Sequence, residues 1–80
     1  MTSIKITVLF FGQITDYTHI PSLELTDLKD TNAVMDRLTT MFPLLNSSPF
    51  QLALDQEIFH ENIPLHGHHT LALLPPYAGG

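Results

Sequence analysis

His66-Gly67-His68-His69 is the densest group of titratable side chains in this sequence, with His60 and Glu61 a few residues upstream. Imidazoles that gain charge near pH 6.5 serve as metal ligands, acid–base groups or pH sensors. On a strand, the adjacent His68 and His69 point to opposite faces; on a loop, His66 and His68 can converge with Glu61 on a metal. A structural zinc site takes four ligands in fixed geometry, and no matching ligand pair stands elsewhere in the chain. The group therefore reads as an exposed turn, and no metal is assigned. Carboxylate pairs are no better equipped for acid–base work. Asp55 and Glu57 sit beside a turn, while Asp27 and Asp30 flank a helix start, where an acid complements the helix dipole. With no cysteine, disulfides, thiolate zinc sites and a cysteine nucleophile are excluded. Ser3, Ser22, Ser47 and Ser48 belong to no nucleophile elbow, and no glycine-rich phosphate loop is present. The chain is expected to have no active site of its own.

The other chemistry-bearing stretch is Leu73-Leu74-Pro75-Pro76-Tyr77-Ala78-Gly79-Gly80. Pro75 and Pro76 lack backbone donors, so a β-ladder must stop there. A polyproline-like segment needs no internal hydrogen bonds and keeps the tail extended. From Pro75 to Gly80 its reach is about 20 Å at ~3.3 Å per residue. Glycines at the tip can thread a narrow channel and let a partner's backbone approach closely. Such a tail delivers an α-carboxylate, a poor acyl electrophile that requires activation, for instance as an acyl-adenylate made by another enzyme. A frayed terminus is the competing reading, and the residues alone leave both open.

The elements that must position this tail fit one small domain of 80 residues. Net charge is −5, with Lys5, Lys29 and Arg37 as the fixed cations. Three scattered cations make no basic patch, which argues against nucleic acid and an anionic membrane as partners. A basic protein surface is the better match. The apolar run Ile4–Phe11 is too short to cross a bilayer and is interrupted by Lys5 and Thr7, so a soluble, cytoplasmic protein is expected.

Along the chain, Ser3–Phe11 alternates with Ile4, Ile6, Val8 and Phe10 on one face, predicting a strand. Gly12 to His19 reads as a turn or loop. A second strand is predicted within Ile20–Leu25, confined by Pro21 to an edge or to its own start. Asp30-Thr31-Asn32 offers N-caps for a helix whose core face is Val34, Leu38, Met41, Phe42 and Leu45. Pro43 should end that helix. Asn46-Ser47-Ser48-Pro49 reads as a loop, Gln51–Leu54 as a strand, Asp55-Gln56 as a turn and Glu57–His60 as a short strand. Gly67 sits in a turn before a last strand, Thr70–Leu74. The result is an α+β roll, a mixed sheet of four to five strands packed on one main helix, with the first and last strands as parallel central neighbours. Residues 1–74 form the domain and 75–80 the extended diglycine tail.

"KITVLFFGQITD" and "LALLPPYAGG" resemble the small subunit of molybdopterin synthase. That family belongs to the ubiquitin-like, β-grasp sulfur carriers, together with the thiamine-pathway carrier. The resemblance extends through the helix starting near Thr31 and "LALDQE" at Leu52–Glu57, and the P-P-x-x-G-G ending is its specific part. It implies that Gly80 is the working residue. A ubiquitin-activating-like enzyme uses ATP to adenylate the Gly80 carboxylate, and sulfur transfer makes a thiocarboxylate. Leu73, Leu74, Pro75, Pro76, Tyr77, Ala78 and Gly79 would then contact the partner. The sulfur adds to a cyclic pyranopterin monophosphate inside the large subunit, within a heterotetramer. No cofactor is implied on this chain. The rival readings are a thiamine-type carrier, a ubiquitin-like modifier conjugated through Gly80, and a non-catalytic binding module. The resemblance also shows differences: Leu54-Asp55 stands where the family often has Val-Asn, His66-Gly67-His68-His69 replaces an acidic turn, and Leu73-Leu74 stands where Phe-Phe usually precedes the prolines.

Overall fold

The alternation in the first strand becomes a one-sided burial pattern. In a computed structural model, which describes residues 3–76, β1 (Lys5–Phe10) buries Ile6, Val8 and Phe10 and leaves Lys5, Thr7 and Leu9 on the other face. It is followed by α1 (Ile14–Thr18), β2 (Ser22–Thr26), α2 (Thr31–Met41), a 3-10 segment at Pro43–Ser47, then β3 (Gln51–Leu54), β4 (Glu57–Ile58) and β5 (His68–Leu74). The sheet order is β2-β1-β5-β3-β4. β1 and β5 run parallel at its centre, with Val8 opposite Leu71 and Phe10 opposite Leu73. β2 pairs antiparallel on one side and β3 on the other. A parallel central pair requires a long crossover, and α2 supplies it. This is the α+β roll expected from the order of elements, in the ubiquitin-like β-grasp arrangement that the resemblance implies.

α2 covers one face of the sheet through Val34 and Leu38, both fully buried, and Leu45 joins them from the 3-10 segment. Phe10 and Phe42 meet edge to face, with ring centroids 5.8 Å apart. The N-terminus of α2 is tied down by side chains. Asp30 Oδ1 accepts from the Ala33 N–H at 2.8 Å, while Asp30 Oδ2 accepts from Asn62 Nδ2 at 3.2 Å. Asn62 Oδ1 in turn accepts from the Asn32 N–H at 2.8 Å, and the Ile63 N–H donates to Thr31 Oγ1 at 2.9 Å. These bonds satisfy donors that a helix start leaves orphaned and stitch the loop before β5 to the crossover helix.

Four sequence expectations are corrected. Met41 is 47% exposed rather than in the core; it is the last residue of α2, and Phe42 leaves helical geometry at φ −130°, ψ 81° ahead of Pro43. The stretch from Gly12 to His19 is not all loop: Ile14 and Thr18 are buried on α1, a helix too short for periodicity to reveal. Asn46 and Ser47 end the 3-10 segment rather than starting a loop. His68 and His69 belong to β5, whose ladder continues as far as Lys5 opposite His68.

Candidate functional site: the tail root and the open sheet face

β5 ends at Leu74, so the segment that follows leaves from the centre of the sheet rather than from an edge. The two leucines part company there. Leu73 is fully buried and faces α2, whereas Leu74 is half-buried on the opposite, open face. Pro75 and Pro76 are half-buried; Tyr77, Ala78, Gly79 and Gly80 lie outside the described residues.

The open face beside this root is largely apolar, with Asp55, Gln56 and Thr70 at its far end. Leu9 and Phe11 from β1 and its extension, Ala53 from β3, and Ala72 and Leu74 from β5 line a shallow groove of about 530 Å³. Phe11 is 44% exposed, although its N–H is fixed by Leu73 O at 3.1 Å. Leaving part of a large aromatic in water next to other apolar side chains forgoes a share of the about 1.5–3 kcal/mol that full burial is worth. This makes the face a candidate interaction surface. Leu9 and Phe11 lie on the second face of the β1 alternation, and strand register brings Ala53, Ala72 and Leu74 beside them.

Gly12 and Gln51 flank the root. Gly12 adopts φ +59°, and the Pro75 ring occupies the space where a side chain would be. Gln51, opposite Leu74 in the ladder, donates from Nε2 to Pro76 O at 3.2 Å. Neither position carried a chemical signal in the sequence. Their roles come from contacts spanning more than twenty residues of chain.

Within the histidine group, His69 is the side chain with structural contacts. His69 Nδ1 lies 2.6 Å from Asp55 Oδ2, and the His66 N–H donates to His69 Nε2 at 3.1 Å. The ring therefore carries its proton on Nδ1 and accepts at Nε2, so neither nitrogen is open to a substrate proton. Asp55 Oδ1 accepts from the Thr70 N–H at 2.9 Å. That backbone bond first, and then the His69 side chain, hold the Asp55 carboxyl below its usual range. The dyad fastens the β3–β4 turn to the start of β5. Among the described residues, no three His, Asp or Glu side chains form a group able to hold a metal.

The ThiS family model matches residues 8–80, nearly the whole chain and the diglycine included. The chain belongs to the ThiS family. That family is one of ubiquitin-like sulfur carriers. Among solved structures, this ThiS-family chain is similar to the solution structure of the small archaeal modifier protein 1 (SAMP1) from Methanosarcina acetivorans. The TM-score is 0.77 and the identity 18%, over 100% of each chain. At that identity the likeness establishes the shared fold. No curated protein matches. No helix of the described residues is long and apolar enough to cross a membrane.

Proposed function

We propose that this chain is a sulfur carrier that works through the carboxylate of Gly80, as the small subunit of a molybdopterin synthase. The observation that carries the reading is the placement of the Pro75-Pro76 root. It stands at the end of a central strand, beside an exposed apolar face, four residues before Gly80 in a chain whose family match runs through the diglycine. A partner that docks on Leu9, Phe11, Ala72 and Leu74 receives the tail at the edge of its own footprint.

The chemistry runs in two steps. The Gly80 carboxylate attacks the α-phosphorus of ATP on an adenylating enzyme, and pyrophosphate leaves. A sulfide-level nucleophile then adds to the acyl carbon and AMP leaves, giving the thiocarboxylate. Its sulfur is the nucleophile delivered to a cyclic pyranopterin monophosphate in the large subunit. This chain supplies reach and docking, while the adenylating enzyme and the large subunit supply the catalytic groups. The proline pair is the feature that favours the molybdopterin branch over a thiamine-type carrier.

Incubation with ATP, the cognate adenylating enzyme and a sulfide donor is expected to raise the intact mass by about 16 Da, one oxygen replaced by sulfur. Deleting Gly79-Gly80 abolishes the shift. An unchanged mass with the intact chain overturns the reading. Adducts on lysines that survive denaturing gels would identify a protein modifier instead.

A further inference from the structure

Gln51 sits on the open face of β3, opposite Leu74, with its side chain directed past the end of the ladder. Beyond Leu74 the chain has two prolines, which offer no N–H to any neighbouring strand. Pro75 and Pro76 can therefore donate no sheet hydrogen bond and offer only their carbonyls as acceptors. Among the described residues, the polar contact that reaches this segment is the one from Gln51 Nε2 to Pro76 O, at 3.2 Å. On the other side, Gly12 packs under the Pro75 ring, and a narrow cleft separates α1 from both prolines, lined by Gln13, Ile14, Tyr17 and Pro49. The root is thus held between a side-chain amide and a bare backbone surface.

We propose that Gln51 is a positioning residue for the tail. Its amide holds the Pro76 carbonyl and, with Gly12 beneath Pro75, sets the direction in which the chain leaves the sheet toward Gly80. The inference rests on the reading that Gly80 is the group acted upon. Orienting the root before encounter removes part of the ordering cost that the adenylating enzyme must otherwise meet on binding. The effect therefore belongs to recognition and not to the acyl-transfer step.

Three variants of the full chain test this. Gln51→Leu replaces the amide by a shorter apolar side chain and removes the donor; Gln51→Glu keeps the shape with acceptors only; Gln51→Arg restores donors. In NMR spectra of the isolated chain, the Pro76 carbonyl ¹³C resonance is expected to move in Gln51→Leu and Gln51→Glu and to return toward wild type in Gln51→Arg, while Val8 and Leu71 stay in place. In the adenylation assay, Gln51→Leu should raise KM for the chain about three- to tenfold, the range of one lost hydrogen bond, with kcat unchanged. Gln51→Arg should recover most of that loss. A Pro76 resonance indifferent to all three variants, or a fall in kcat at constant KM, overturns the positioning role. If the wild-type chain itself is not adenylated, the functional reading falls, and the Pro76 resonance alone decides the role of Gln51.

Discussion

A β-carbon on Gly12 would stand 2.6 Å from Cγ of Pro75. Two residues from opposite ends of the chain are thereby locked into one small-residue contact at the root of the tail. Gly12 also has φ +59°, a conformation that branched side chains reach only under strain. Gly12→Val is expected to destabilise the domain by about 1–3 kcal/mol, through backbone strain together with overpacking against the proline ring. Urea unfolding measures the loss, and the Pro75 side-chain resonances should shift with it. Wild-type stability in this variant would show that the ring moves aside freely.

Phe11 separates docking from folding. Its side chain is 44% exposed on the open face, and the backbone bond to Leu73 O does not depend on it. Phe11→Ser should change unfolding free energy by less than about 1 kcal/mol. Affinity for the adenylating enzyme should nevertheless fall roughly tenfold or more, as for an aromatic anchor at an interface. Titration calorimetry on the folded variant checks this, and unchanged affinity would remove the open face from the dock.

The turn between β3 and β4 holds two residues at positive φ, Asp55 at 50° and Gln56 at 75°. A two-residue hairpin turn of this kind favours an Asp-Gly pair, because glycine enters the left-handed region without steric cost. Asp55 also has a bonded side chain, whereas Gln56 is exposed. Gln56→Gly is therefore expected to stabilise the fold by about 0.5–1 kcal/mol. A lower thermal midpoint would contradict this.

Acid should loosen two attachments at once. The Asp55 carboxyl is lowered by the Thr70 N–H and then by His69, and that of Asp30 by the Ala33 N–H and then by Asn62. In both, the folded state binds a proton less readily than the unfolded chain. Their contribution is complete above the unfolded value of about 3.9 and is lost as pH falls through the lower folded value. Unfolding free energy should decline on acidification below about pH 4. Asp55→Asn, which keeps an acceptor for the Thr70 N–H, should flatten part of that decline. An identical pH dependence in wild type and variant would refute the assignment.

Much of the molecule was legible in linear order. Period-two alternation marked β1 and β5, a cap followed by apolar residues at helical spacing marked α2, and Gln51–Leu54 is a strand with the predicted ends. These signals are local, set by backbone sterics and by which side of an element faces water. The five-residue α1 was missed because it is barely longer than one turn and its buried Ile14 and Thr18 make no repeated pattern. Helical spacing puts Met41 on the core face of α2, but it does not tell whether the last residue of a helix is covered by the rest of the fold.

For the candidate site, the sequence by itself determined the chemistry on offer: a chain with no cysteine, few cations and a proline-projected diglycine. Only the tertiary structure decided how that tail is held. Parallel pairing of β1 with β5 puts its root at the centre of the sheet, and strand register gathers Leu9, Phe11, Ala53, Ala72 and Leu74 into one apolar face. The same packing brings Gly12 against Pro75 and Gln51 within a hydrogen bond of Pro76. These contacts join residues tens of positions apart, and their energies depend on a closed core that no local window of sequence contains.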